Sequence, residues 1–302
     1  MKPFLPKLWP KLLWPVTTLL VASGCQVDTP SETTTVVAST SIWGQVVHGV
    51  VGEDADVTVL MPVGVDAHDF QMSSSQAALV ATADLVIVNG LGLEEGMQDA
   101  LASAVAEGAN VLEVGKSLDP MILAEGQIDP HVWMDPLRVA RAAELVADGM
   151  TALRTDVDWI TRAEAFSATM VATDVEIEQI LTVVPMTDRK LVTNHEALGY
   201  FADRYGFEVI GSVIPGPTTL DQPSSAELAA LVATMREAGV AVVFTETSDS
   251  AALAEAVAAE LGQETRVVAL FTESLGPPGS GADTLAGMLL TNARLIAGAL
   301  VG

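Results

Sequence analysis

The sequence predicts an α/β protein of two lobes, each built on a parallel four-stranded sheet, with one long helix between them. Three observations predict this fold. Apolar, strand-like runs alternate with helix-like runs through the first half of the chain, a rhythm typical of parallel sheets covered on both faces. The second half repeats that rhythm. Between the halves lies a long segment with helical periodicity and no strand signal.

The first half contains four predicted strands separated by helices. The clearest is the run Leu85-Val86-Ile87-Val88, whose continuous apolar character indicates a strand buried on both faces. Ser73 or Ser74 is a plausible N-cap for the helix that follows the second strand. The predicted strands are 34–39, 56–60, 84–89 and 110–114, and the predicted helices are 42–51, 73–82 and 92–107.

The middle segment, residues 136–184, is expected to be helical with a break at residues 156–158. After the break, apolar residues recur at helical spacing up to Pro185, which cannot continue a helix. A helix over 158–184 would measure about 40 Å at ~1.5 Å per residue, enough to run from one lobe to the other.

The second half again predicts four strands and their helices. Ser224 and Glu227 form a capping-box pattern at the start of one helix, and Gly239 is placed to stop it. The predicted strands are 190–194, 208–214, 240–245 and 265–270, and the predicted helices are 197–205, 224–237, 250–261 and 283–300.

The N-terminus predicts export. Three lysines precede an apolar stretch that is too short for a transmembrane helix, and small residues lead to Cys25, the one cysteine of the chain. This arrangement resembles a bacterial lipoprotein signal, in which Cys25 becomes the lipid-bearing first residue; an ordinary cleaved signal with an incidental cysteine is the alternative. We therefore expect a signal peptide (1–24), a tether (25–33), an N-terminal lobe (34–135), a helical segment (136–184) and a C-terminal lobe (185–302).

The charge of the chain excludes one class of partner. A formal net charge of −25 argues against nucleic acid, because phosphate binding needs a basic face. Acidity fits a protein that handles cations, but it also fits simple solvation of the surface.

Three of the four histidines lie in comparable places, at or just after predicted strand ends. They are His68, His131 and His195, and the carboxylates Glu246 and Glu273 occupy similar positions. Ligands of open parallel sheets bind outside the carboxyl ends of the strands. If the two halves face each other, these side chains converge in the cleft between the lobes. The fourth histidine lies in a predicted helix and is interpreted as structural or exposed.

Such a cluster points to a transition metal. Neutral imidazoles bind zinc, copper, nickel or iron, and a carboxylate can complete a zinc tetrahedron without any thiol. No HExxH helix or paired-cysteine spacing is present, so the ligands would be dispersed along the chain. The alternative is that these histidines are buried and hydrogen-bonded without a metal.

Several motifs resemble the metal-binding proteins of bacterial ABC importers for zinc and manganese, a family that includes uptake lipoproteins and adhesin lipoproteins. DPHVWMDP is the most specific of them, and together they follow the family order over essentially the whole mature chain. They are Gly64-Val65-Asp66-Ala67-His68, Asn89-Gly90-Leu91-Gly92-Leu93-Glu94, Asp129-Pro130-His131-Val132-Trp133-Met134-Asp135-Pro136, His195-Glu196-Ala197-Leu198-Gly199-Tyr200-Phe201, Val243-Phe244-Thr245-Glu246 and Phe271-Thr272-Glu273-Ser274.

The resemblance implies a set of ligands. His68, His131 and His195 match the first three family ligands, and Glu273 falls where the family usually has aspartate. A histidine at position 195 is typical of zinc-type members, whereas manganese-type members tend to carry glutamate there. Glu246 is either an outer acceptor for a ligand imidazole or a simple strand-end carboxylate.

Neighbouring residues have smaller expected roles. Trp133 is expected to pack beside the site, and Asp66, Asp69 or Asp129 could orient ligands. Glu196 is expected at the start of a helix, where a carboxylate is favoured by the helix dipole.

The function implied is that of an extracytoplasmic solute-binding protein, not an enzyme. It would be a monomer, lipid-anchored at the outer face of the cytoplasmic membrane or periplasmic, and would deliver Zn²⁺ to the membrane permease of an ABC importer. The alternatives are a manganese or iron binder of the same fold, a zinc-dependent hydrolase in which Glu273 acts as a base, and a surface adhesin.

Overall fold

The computed structural model describes residues 1–4, 33–123, 126–262 and 264–301. The expected signal peptide and tether, including Cys25, fall almost entirely outside the described residues. The chain divides into two compact units, Met1–Glu32 and Thr33–Gly302, and the fold given below is that of the second. Within the described ranges, no helix has both the length and the apolar character needed to cross a membrane.

The N-terminal lobe is built on a parallel sheet of four strands. These are β1 (Thr34–Ala38), β2 (Ala55–Val59), β3 (Leu85–Val88) and β4 (Val111–Glu113), in the order β2-β1-β3-β4. Val36 of β1 lies opposite Val57 on one side and Leu85 on the other, so β1 is central. Three helices connect the strands: α1 (Ser41–Val51), α2 (Ser74–Thr82) and α3 (Gln98–Ala106).

Two long helices follow, α4 (Pro136–Leu153) and α5 (Trp159–Leu181). An aspartate caps each of them: Asp135 accepts from the backbone N–H of Leu137, and Asp158 accepts from that of Thr161. The 23 residues of α5 span about 35 Å. Because α5 packs on α1 as well as α4, and at its other end on the C-terminal helix, it joins the two lobes.

The C-terminal lobe repeats the same topology. Its strands are β5 (Lys190–Thr193), β6 (Glu208–Ser212), β7 (Val242–Glu246) and β8 (Arg266–Leu270), all parallel, in the order β6-β5-β7-β8. Its helices are α6 (Gly199–Tyr205), α7 (Ser225–Ala238), α8 (Ala252–Leu261) and α9 (Leu285–Val301). The predicted fold of two lobes, each with a parallel four-stranded sheet, is confirmed.

A shared apolar core holds the lobes together. It runs from the N-terminal sheet through α4 and α5 to α6 and α9, and it includes the fully buried Trp43, Trp133 and Trp159. A smaller cluster, which includes Val192, Met235 and Val243, lies between the C-terminal sheet and helices α7 and α8. Continuous apolar packing across both lobes favours one preferred relative position.

The predicted elements all occur, with differences at their ends. The helix expected over 92–107 is shorter, because Gly92 has a left-handed φ of 88° and Glu94 has a ψ of 58°, and neither angle is helical. A short 3₁₀ turn, Glu95–Met97, precedes α3 instead. The capping box of Ser224 and Glu227 is present as predicted. The domain boundaries proposed above remain a prediction.

A polar cluster fastens α5 to the C-terminal lobe. Asp174 is 5% exposed in the middle of α5 and accepts from Arg204 Nε at 2.5 Å and from the Tyr205 hydroxyl at 2.9 Å. Arg204 also lies 3.6 Å from Asp135, which caps α4. The guanidinium therefore bridges helices α4, α5 and α6.

We expect Arg204→Ala to lower the free energy of unfolding by about 2 kcal/mol, because it leaves the buried Asp174 carboxylate without its cationic partner. Urea unfolding measures this change. The matched control is Arg294→Ala. Arg294 pairs at 2.7 Å with Glu176, which lies on α5 like Asp174, but both side chains of this pair are at least half exposed. That control should change stability by less than ~0.5 kcal/mol, and equal effects of the two substitutions would contradict the assignment.

Candidate metal centre

Four buried side chains meet between the lobes. His68, His131, His195 and Glu273 each offer an atom, and these atoms lie within 4.8 Å of one another. His131 Nε2 is 3.4 Å from His68 Nε2 and 3.0 Å from His195 Nε2. Glu273 carboxylate oxygens lie 3.4–3.9 Å from the three Nε2 atoms. The convergence predicted from strand ends therefore occurs.

The spacing of these atoms suits a four-coordinate cation. Metal–ligand bonds of about 2.0–2.1 Å in a tetrahedron place neighbouring ligand atoms about 3.4 Å apart. The separations between these side chains scatter around that value. The arrangement is thus close to one that Zn²⁺ could occupy with small shifts of the side chains.

Topology explains why these residues meet. His68 lies in the loop after β2, His195 two residues after the end of β5, and Glu273 after β8, so each stands beyond the carboxyl end of a parallel strand. His131 lies farther along the loop after β4, at the start of the 3₁₀ turn Val132–Met134. Each lobe contributes two of the four side chains, and the cleft between the sheets is the place where all four loops come together.

Each imidazole has a carboxylate at its other nitrogen. Asp129 lies 2.8 Å from Nδ1 of His131, and Glu246 is in direct contact with Nδ1 of His195. The third partner is Glu95, 3.4 Å from Nδ1 of His68 and 40% exposed. A carboxylate at Nδ1 favours the tautomer with its proton there, which leaves Nε2 free to bind a metal.

The loop of His131 is held rigidly. Asp129 accepts at Oδ1 from the His131 backbone N–H at 2.9 Å, and its carbonyl accepts from the Tyr200 hydroxyl at 2.7 Å. A side chain at Gly199 would place Cβ 2.5 Å from Asp129 Oδ2, so glycine is required for this close approach.

Trp133 donates through Nε1 to the carbonyl of Thr272, and its ring packs 5.3 Å from that of His131. The expected packing of Trp133 beside the site is confirmed.

The Asn89–Glu94 motif also supports this loop. The buried Glu94 carboxylate accepts from the Ser39 hydroxyl at 2.8 Å and from the Asn89 and Gly90 backbone N–H groups at 2.7 and 3.0 Å. Asn89 Nδ2 then donates to the carbonyl of Pro130, next to His131, at 3.0 Å. The glutamate that ends the motif therefore has a structural role behind the site.

Burial dominates the electrostatics of the site. Desolvation, aided by the neighbouring imidazoles, lowers the pKa of His68 to about 2 and holds the pKa of His131 well below its usual range. Burial also raises the pKa of Glu273. For His195 burial acts in the same direction as for the other imidazoles, but the charges of Glu246 and Glu273 prevail and raise its pKa to about 9.

Other predicted residues lie as follows. His48 is exposed on α1, as expected, and Asp69 is exposed and not beside the cluster. Asp66 accepts from the backbone N–H of His68 at 2.9 Å. The expectation that Glu196 starts a helix is wrong: α6 begins at Gly199, and the Glu196 backbone N–H donates to the carbonyl of Gly216.

Glu95 was missed from sequence. It follows Glu94 in the strand-end turn of β3, and adjacent glutamates in a surface turn are commonly just solvated. The signal that could have found it is its position beyond the carboxyl end of β3, the same rule that located the histidines.

Comparison with known proteins places this geometry in context. Residues 36–299 match the family model of the periplasmic component A of the zinc-uptake complex, ZnuA. The manganese-binding lipoprotein MntA of Halalkalibacterium halodurans is 28% identical over 90% of this chain and 92% of its own length. The zinc-binding protein TroA of Treponema pallidum is 28% identical over 88% of each.

Solved structures give the same relationship. The periplasmic zinc-binding protein TroA from Treponema pallidum superposes with a TM-score of 0.82 at 26% identity, covering 89% of this chain and all of TroA. An Mn-bound periplasmic metal-binding protein from Candidatus Liberibacter asiaticus superposes with a TM-score of 0.78 at 25% identity, over 88% of this chain and 99% of that one. With the family model matching nearly the whole described fold, the chain belongs to the ZnuA family of periplasmic metal-uptake proteins.

Proposed function

We propose that this protein captures Zn²⁺ outside the cytoplasmic membrane and delivers it to the permease of an ABC-type importer. His68, His131, His195 and Glu273 are the proposed ligands, and the metal is the transported substrate. The family match and the relatives named for zinc and manganese binding support this proposal.

One observation carries it. Glu273 is 2% exposed, and neither of its carboxylate oxygens accepts a hydrogen bond from the described residues. A buried carboxylate without a donor is strongly unfavourable unless a cation compensates it. Three imidazole Nε2 atoms face the same point, so a metal ion that binds all four groups satisfies them together.

The same geometry argues against a hydrolase. A catalytic zinc site keeps one coordination position open for water. The hydrolase alternative therefore required Glu273 to act as a base and not as a metal ligand. Its Oε1 instead lies 3.4 and 3.6 Å from the Nε2 atoms of His131 and His195, at the distance of a fourth ligand. We therefore propose binding without reaction chemistry.

Manganese is the second candidate. It is favoured by the similarity to MntA, a relative named for manganese binding. Against it stands His195, because a third imidazole favours zinc over the harder manganese ion, which prefers oxygen ligands. We place zinc first for that reason.

Export and anchoring extend the proposal. We propose that residues 1–24 are a signal peptide and that Cys25 carries the lipid, in line with the relatives named lipoproteins. A protein held at the outer face of the membrane is positioned to pass its metal to a permease. The charge of −25 would concentrate cations near its surface at low ionic strength.

The proposal is tested by metal binding to the purified protein. We expect one Zn²⁺ to bind per chain and to resist competition by excess Mn²⁺. In His131→Ala we expect zinc affinity to fall by at least about a hundredfold, because removal of one of four ligands leaves an incomplete shell. Titration calorimetry with elemental analysis measures both.

The control for this experiment is His48→Ala, which removes an exposed imidazole on α1 and should leave zinc affinity unchanged. Preferential binding of Mn²⁺ would favour the second candidate. Equal zinc affinity in His131→Ala and the unaltered protein would remove the proposed site.

Zinc binding should release protons. At pH 7.5 the His195 imidazole is protonated in the metal-free protein, since its pKa is raised to about 9. Metal binding requires Nε2 of His195 to be deprotonated, so affinity should rise with pH by about tenfold per unit through the release of this proton, up to pH ~9. Calorimetry in phosphate and in Tris should give different binding enthalpies; identical enthalpies in the two buffers would contradict this expectation.

The buried carboxylate at His195 should tune affinity. We expect Glu246→Gln to weaken zinc binding about 10- to 100-fold, because the amide no longer stabilises the tautomer and charge of the liganded imidazole. Glu255→Gln, which alters an exposed glutamate on α8, is the matched control and should have no effect. An unchanged affinity in Glu246→Gln would reduce Glu246 to a strand-end carboxylate.

A further inference from the structure

The loop that carries His68 is hydrogen-bonded to the opposite lobe. Asp66 and Thr219 lie 153 positions apart and face each other across the cleft. We infer that the Thr219–Asp66 hydrogen bond is a cross-lobe latch that slows the dissociation of bound metal. The inference rests on the proposed function and makes Thr219 a positioning residue that acts through the loop of His68.

The part of the His68 loop with little support from its own lobe is residues 62–64, between Met61 and Ala67, which are both buried in the apolar core. The last regular contact of the loop with the N-terminal sheet is the Met61 backbone N–H, which donates to the carbonyl of Ser39 at 3.0 Å. Residues 62–64 are exposed, and Gly64 adopts a left-handed conformation (φ 84°) that other residues rarely take. This exposed stretch therefore lies outside the apolar core of its lobe.

Asp66 accepts within the loop at one carboxylate oxygen and from the C-terminal lobe at the other. Oδ1 accepts from the backbone N–H of His68 at 2.9 Å, which fixes the loop around the imidazole. Oδ2 accepts from the Thr219 hydroxyl at 2.5 Å. A single carboxylate therefore links the position of His68 to a side chain of the other lobe.

Thr219 is itself anchored beside another proposed ligand. It lies in the loop between β6 and α7, and the carbonyl of Gly216 in that loop accepts from the Glu196 backbone N–H at 3.0 Å. Glu196 directly follows His195. The latch thus runs from the loop of His68, through Asp66 and Thr219, to the loop of His195.

A second bond points the same way. The Gly64 backbone N–H donates to the Ser274 hydroxyl at 2.7 Å, and Ser274 directly follows Glu273. The loop of His68 is therefore tied to the loops of both proposed ligands from the C-terminal lobe. The loop of His131 is also bonded to the C-terminal lobe, through Tyr200 of α6, and Asp129 additionally accepts from the His131 backbone N–H within the loop.

In this arrangement the latch controls the release of bound metal. Metal leaves the buried cluster when the loop of His68 separates from the C-terminal lobe, and that separation must break the Thr219–Asp66 bond. The bond completes closure after the metal has entered, so its loss should accelerate dissociation and leave association unchanged.

The test is stopped-flow release of Zn²⁺ from the metal-loaded protein into an excess of a zinc chelator. Thr219→Val keeps the shape of the side chain but has no hydroxyl, and we expect its dissociation rate to rise about tenfold, as the loss of one hydrogen bond to a charged group implies. Thr219→Ser retains the hydroxyl and should restore the original rate. The association rate should be the same in all three proteins.

Thr234→Val is the control, because the Thr234 hydroxyl is exposed and donates to the Ala230 carbonyl within α7. The rate of Zn²⁺ release from this variant should match that of the unaltered protein. Thermal unfolding of the metal-free variants checks that stability is retained. An unchanged dissociation rate in Thr219→Val, equal acceleration in the serine variant, or a slowed association would each overturn the latch. Failure of the unaltered protein to bind Zn²⁺ would instead overturn the proposed function.

Discussion

Four polar side chains are buried within 4.8 Å of one another, and the rest of the structure accommodates this constraint. Three imidazoles and one carboxylate removed from water are unfavourable unless their polar atoms are compensated. The protein places a carboxylate near the outer nitrogen of each imidazole, in closer contact for His131 and His195 than for His68, while the inner side faces a point that a cation can occupy. The fold therefore keeps a strongly polar site buried between the two lobes.

Two parallel sheets make that arrangement possible. Their carboxyl ends deliver loops from both lobes into one cleft, and helices α4 and α5 with the shared apolar core hold the sheets in place. The supporting groups are arranged unevenly. Asp129 and Glu246 are buried beside His131 and His195, whereas Glu95 beside His68 is 40% exposed.

The uneven support of the three imidazoles bears on how bound metal would be released. The loop of His131 is held by several hydrogen bonds, and His195 lies two residues after the end of β5 with its Nδ1 against the buried Glu246. Both loops are bonded to the other lobe, that of His131 through Tyr200 and that of His68 through Asp66 and Gly64. In the proposed mechanism the loop of His68 is the part that separates from the C-terminal lobe and lets the metal leave.

The sequence by itself determined the order of strands and helices, because apolar periodicity and caps such as Ser224 act over a few neighbouring residues. It also placed the three histidines and Glu273 at strand ends, where parallel sheets bind ligands. Only the tertiary structure decided which carboxylate faces which imidazole: Glu95 rather than Asp69 lies beside His68. It alone paired Asp66 with Thr219, because contacts between residues far apart in the chain depend on how two lobes pack and which way each side chain points.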